Sequence, residues 1–131
     1  MPQRSIHDNK VVSYEVDGER RRIVLHTRFK MSNRLESTDM IFEGVFAYRF
    51  EHDNFGNILF GVEELPVARL VACYRGLFEE GSKNAWPGPW NESTEACIEH
   101  LHSKGAKAFQ ISSSYGLTGW VISESYQVEP G

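Results

Sequence analysis

The residues best suited to move protons or hold a metal near neutral pH are five histidines, at positions 7, 26, 52, 100 and 102. His100 and His102 stand two apart in an expected helix. They point in different directions and cannot form the i, i+4 pair of a helical zinc site. His26 falls in an expected strand, with no acidic partner readable beside it. All five read as structural or solvated. Glu63 and Glu64 end an expected strand and face opposite sides of it, so they cannot divide acid and base work. Glu43 reads as a solvent-facing charge on a central strand. Ser112, Ser113 and Ser114 precede Tyr115 and Gly116, but the G-x-S-x-G elbow is missing and no base is assignable. Polar residues closing a strand into a turn explain the run. Gly116 and Gly119 are too close together for a phosphate loop. Cys73 and Cys97 match no zinc or redox spacing and are expected as buried, reduced thiols, which suits the cytoplasm. No catalytic residue, metal ligand or cofactor site is assigned.

The segment NAWPGPWN, residues 84–91, cannot be regular structure, because two prolines and a glycine interrupt it. Tryptophans in such a loop either cap the core or wall a pocket. If Trp86 and Trp90 meet Trp120, with Tyr115 at the neighbouring turn, the four would line one end of a sheet. They are the candidate small-molecule or peptide site.

Positioning these residues falls to elements that the patterning makes legible. Thr38 to Glu64 reads as two strands joined by a turn at 53–57. Phe42, Phe46, Tyr48 and Phe50 then share one face, expected to lie under the helices. Ile58, Phe60 and Val62 repeat the pattern after the turn. Ahead of this hairpin, Lys10 to Val16 and Arg22 to Phe29 read as strands joined at Asp17-Gly18. Val12, Tyr14 and Val16 share a face of the first, and Ile23, Leu25 and Phe29 a face of the second. Lys30 to Ser37 is polar and reads as a loop. Val67, Leu70, Val71, Tyr74, Leu77 and Phe78 form a helical stripe. A second helix runs from about Ser93 to Lys104, capped by Ser93 or Asn91, with Cys97, Ile98 and Leu101 inward. Lys107 to Ser113 and Trp120 to Val128 close the pattern, the latter with Trp120, Ile122, Tyr126 and Val128 on one face. The order ββββ-αα-ββ predicts an α+β fold, a mainly antiparallel sheet of about six strands with two helices on one face. Residues 1–131 read as a single domain, with 1–9 expected to be loose.

Bulk properties narrow the function classes. Eight Phe, five Tyr and three Trp suit a strand-rich domain. The formal net charge of −4 argues against nucleic acid. Arg20, Arg21 and Arg22 stand near Glu15, Asp17 and Glu19 and read as a solvated strand edge. No run is long and apolar enough to cross a bilayer, and the N-terminus is no signal peptide.

The segments FEGVFAYRFEHDNFGNILFGVEE and YGLTGWV resemble small bacterial α+β domains, some of them immunity proteins of polymorphic toxin systems. The resemblance covers about half the chain and rests on structural motifs, so it implies a cytosolic partner-binding protein and no active site. The leading expectation is a non-enzymatic protein-binding domain with a protein partner or as a homo-oligomer. Its interface is expected on Glu43, Val45, Ala47 and Arg49, the odd-numbered face of the central strand. The alternative is a small-ligand binder or minor enzyme using the aromatic pocket near Trp86, Trp90 and Trp120.

Overall fold

A computed structural model describes residues 5–31, 33–82, 86 and 93–131. In chain order the elements are β1 (Lys10–Asp17), β2 (Arg22–Met31), β3 (Arg34–Glu51), β4 (Ile58–Leu65), α1 (Val67–Cys73), α2 (Arg75–Ser82), α3 (Thr94–Ser103), β5 (Lys107–Tyr115) and β6 (Thr118–Pro130). Every strand pairing is antiparallel. The fold is the expected α+β class, with three described helices where two were expected. The predicted first helix breaks at Tyr74 (φ −118°, ψ 33°), whose ring packs 5.9 Å from that of Trp120. The break leaves Cys73 exposed, against expectation, while Cys97 is buried.

The sheet closes on itself in the order β1-β2-β3-β6-β5-β4. Ile23, Leu25, Met40, Phe42, Leu59, Phe109, Ile111 and Val121 fill the interior, each fully buried side chain contributing about 1.5–3 kcal/mol relative to exposure. Phe42 lies 4.7 Å from Tyr126 and 5.8 Å from Phe109, ring centre to ring centre. Burial pushes the Tyr126 phenol up to about 12. The second core lies between the helices and the outer face of β3, β5 and β6. Val67, Leu70, Val71, Phe78, Cys97 and Leu101 pack there on Ala47, Ala108, Trp120 and Ile122. Ser93 caps α3 by accepting from the Ala96 N–H at 3.1 Å. Arg75 ties α2 to α3 by donating to Thr94 Oγ1 at 3.0 Å.

Long strands serve both cores. β3 pairs with β2 over Arg34 to Glu43 and with β6 over Thr38 to Glu51. Between Val45 and Ala47 its register against β6 slips. Gly44 just before the slip takes φ +64°, and the two irregularities together turn the side chains of that short stretch without reversing the strand beyond it. Phe42 therefore faces the barrel interior, Phe46 packs toward the helices, and Phe50 faces the interior again. The predicted single face of Phe42, Phe46, Tyr48 and Phe50 under the helices does not exist. β6 likewise presents Trp120 and Ile122 to the helices but Tyr126 and Val128 to the interior. In β4, slips beside Leu59 turn that residue inward and leave Ile58 and Phe60 exposed. The expected loop at 30–37 is mostly strand: Lys30 faces Leu35 and Phe29 faces Glu36 across the β2–β3 ladder.

Candidate functional site

The barrel is incompletely zipped along β1. This strand pairs with β2 from Lys10 to Asp17, but with β4 only through Lys10 and Ile58. Past Lys10 the last backbone bond on that side runs from the Val11 N–H to the Asn57 carbonyl, at 2.9 Å. Its continuation from Val12 to Asp17 has no strand partner there among the described residues. β3 has a matching edge without a strand partner among the described residues. Its pairing with β2 ends at Glu43, a single bond from the Val45 N–H to the Arg21 carbonyl follows, and β3 runs on to Glu51.

Side chains bridge the cleft between these edges. Tyr14 donates to Asp53 Oδ2 at 2.5 Å, and its ring meets Phe50 edge-on at 5.2 Å. The Asp53 hydrogen bond, with burial and the carboxylate charge, pushes the Tyr14 phenol up to about 12, which keeps it a donor. Tyr48 packs 5.2 Å from Phe50. Arg21 donates from Nε to the Val45 carbonyl at 3.0 Å, with its guanidinium 4.7 Å above the Phe46 ring. A hollow of about 470 Å³ lies between β1 and the turn at 53–57. A second, of about 210 Å³, lies between the β1–β2 hairpin tip, β3 and Trp86. Tyr14, Val16 and Tyr48 keep 37%, 44% and 40% of their surface in water, and Phe55 is fully exposed. Large apolar groups thus line an open strand edge.

The residues singled out in the sequence are only partly brought together. Trp86 and Trp120 meet, ring centres 6.1 Å apart, with Phe78 at 5.3 Å from the first and 5.7 Å from the second. Trp120 is fully buried, and its Nε1 has no hydrogen-bond partner among the described residues. Trp90 lies outside the described residues. Tyr115 stands apart from the tryptophans and accepts from Asn54 Nδ2 at 3.0 Å. Glu43, Val45, Ala47 and Arg49 form no common surface, because the slip in β3 falls among them. Glu43 lies 3.5 Å from Arg22 Nε, and Arg49 is 3.1 Å from Glu51. Val45 packs against the interior core, and Ala47 is buried beneath the helices.

Other polar groups have structural partners. The β1–β2 turn is held by Asp17 Oδ1, which accepts from the Glu19 and Arg20 N–H groups. Ser113 donates to the Leu117 carbonyl, closing the β5–β6 turn. His26 sits between Asp39 at 2.8 Å and Glu15 at 3.3 Å. The Asp39 hydrogen bond raises its pKa against the opposing effect of burial, helped by Glu15. Among the described residues no group of three or more His, Cys, Asp or Glu is placed to hold a metal ion. No described helix is long and apolar enough to cross a membrane.

The unzipped cleft was not legible in the sequence. Its one signal is the Val12, Tyr14, Val16 alternation, whose exposure depends on where β4 departs. Comparison with models of known protein families, with curated proteins and with solved structures finds no match to this chain.

Proposed function

We propose that this chain is a non-enzymatic protein-binding domain whose cleft along β1 receives an extended segment of a partner. The observation that carries this reading is the free edge of β1 with Tyr14, Val16 and Tyr48 exposed around it. An open edge offers backbone donors and acceptors to an added strand, and alternate apolar contacts select its side chains. Edges that must stay unpaired are usually blunted by charge or proline. This one presents Val12, Tyr14 and Val16 instead. Aromatic and aliphatic groups along the cleft offer surface to cover, and Asp53 and Arg21 stand beside them as polar groups able to register a bound segment.

A small-ligand site has less support. The hollow beside Trp86, about 210 Å³, is smaller than the roughly 300–1,000 Å³ of ordinary ligand pockets. The indole of Trp120 is sealed. The unpaired thiols at Cys73 and Cys97 accord with a reducing, cytoplasmic setting. The narrower immunity-like reading rests on the sequence resemblance, and a toxin-like gene directly upstream is the observation that supports it.

The test is affinity capture from the native organism with the intact chain and with Val16→Asp and Tyr48→Asp. A protein recovered by the intact chain and lost with both variants supports the proposal. Recovery of none, or equal recovery by all three baits, refutes it. Sedimentation as a monomer at tens of micromolar would remove a second copy of this chain as the occupant.

A further inference from the structure

At the Lys10 end of β1, on the outside of the barrel, lies a groove of about 450 Å³. Val12, Leu35 and Ile58 make its exposed apolar floor, and Lys10, Arg28 and Lys30 stand along it. The charge placement is costly. Lys10 and Arg28 are directly opposite in the β1–β2 ladder, where like charges destabilise a sheet. Lys30 follows Arg28 at the strand period of two, on the same face. None of these cations has an ion-pair partner among the described residues. The one acid lining the groove, Asp8, pairs instead with His7 at 3.5 Å. This concentration of positive charge occurs in a chain whose net charge is −4.

We infer that this groove is a docking site for an acidic, amphipathic peptide segment, its carboxylates meeting Lys10, Arg28 and Lys30 and its apolar side chains covering Val12, Leu35 and Ile58. Charge complementarity sets the class of the occupant and relieves the unpaired repulsion. With Phe29 the one aromatic lining it, the mostly aliphatic floor favours peptide over single-stranded nucleic acid, which needs several aromatic platforms for base stacking and a wider basic surface. The groove shares Lys10 and Val12 with the hollow beside the 53–57 turn, and the two sites are told apart by Arg28, Lys30 and Leu35 on this side and Tyr48 on the other.

The test uses the purified full chain and a fluorescein-labelled peptide alternating glutamate and leucine, read by fluorescence anisotropy. The peptide binds, and the double variant Lys10→Glu, Arg28→Glu loses at least about tenfold in affinity. Lys107→Glu and the cleft variant Tyr48→Ala leave binding unchanged. Raising salt from about 50 to about 200 mM weakens binding, and a glutamate–serine peptide binds at least about tenfold more weakly for want of apolar contact. The single variant Lys10→Glu, which sets opposite charges across the ladder from Arg28, melts about 2 °C higher than the parent. If the double variant does not fold, Lys10→Gln with Arg28→Gln serves, with an expected loss of about threefold. No binding at millimolar protein, equal binding of a lysine–leucine peptide, or indifference to the charge variants overturns the proposal. So does tighter binding of a polyuridine oligonucleotide that the same variants abolish.

Discussion

The indole of Trp120 offers a test in which two opposed effects nearly cancel. Its ring is fully buried among Tyr74, Phe78 and Trp86, and its Nε1–H meets no acceptor among the described residues. Trp120→Phe removes roughly 40 Å² of buried apolar surface, about 1 kcal/mol of transfer free energy. It leaves a void of roughly 40 Å³, which costs about 1 kcal/mol more. It also removes a buried unsatisfied donor whose desolvation costs about 1–3 kcal/mol. The expected net change therefore lies within about 1 kcal/mol of zero. Trp120→Ala has no such offset and should cost about 3–5 kcal/mol. Urea unfolding of the parent and both variants measures the difference directly, provided the slopes agree. A loss above about 2 kcal/mol for Trp120→Phe would sink the argument. It would mean that the indole N–H is satisfied and that the aromatic cluster is held by a hydrogen bond as well as by packing.

Three further outcomes follow from the geometry. Gly119 faces the β3 backbone so closely that an added Cβ would stand 1.9 Å from the Arg49 carbonyl oxygen, at φ +157°. Gly119→Ala should cost at least about 3 kcal/mol or prevent folding, and a wild-type melting temperature would contradict this. Gly44 combines φ +64° with an added Cβ 2.4 Å from Glu124 Oε2. Gly44→Ala should cost about 1–3 kcal/mol, and a double-mutant cycle should show part of that recovered in a Glu124→Ala background, the backbone strain remaining. Strict additivity would remove the steric part of the account. His26 has its pKa raised above the ordinary 6.5 by Asp39 and Glu15. The stability it supplies is fully present below about pH 6.5 and is lost as pH rises through the higher folded value. The stability advantage of the parent over His26→Gln should shrink across that range in chemical denaturation series, and a flat or growing difference would contradict the assignment.

Features carried by neighbouring residues were legible in the sequence. Asp17 closes the first hairpin, Ser93 caps α3, and the Val67, Leu70, Val71 stripe faces the core. What escaped depends on contacts between distant segments. Alternation along β3 looks continuous through Phe46, yet a local irregularity at Gly44 and the Val45–Ala47 slip turns Phe46 to the helices while Phe42 and Phe50 face the interior. The polar run at 30–37 hides a strand because backbone pairing across β2 and β3 is indifferent to outward polar side chains. The alternation of β1 was visible, but its exposure is set by a single pairing, Lys10 with Ile58. The tryptophan cluster was half legible. In the sequence a meeting of Trp86 with Trp120 is only the condition for a pocket. The two rings do meet, whereas Trp120 is sealed beside Tyr74, where α1 and α2 divide. The groove beside Lys10 depends on residues that share a surface only once β1, β2 and β4 are assembled.

The pairing of β3 with β6 joins residues 38–51 to residues 118–130, and this has a kinetic consequence. Most of the interior wall is complete only when these distant segments meet, a non-local contact that slows folding. During synthesis at about 5–20 residues per second, the interior side of Met40 and Phe42 waits roughly 4–16 s for β6 to emerge. Over that interval the nascent chain displays an aromatic strand with an unpaired edge, a feature that chaperones capture and aggregates recruit. The same two strands that bind the finished barrel together therefore set the period in which the chain is most vulnerable.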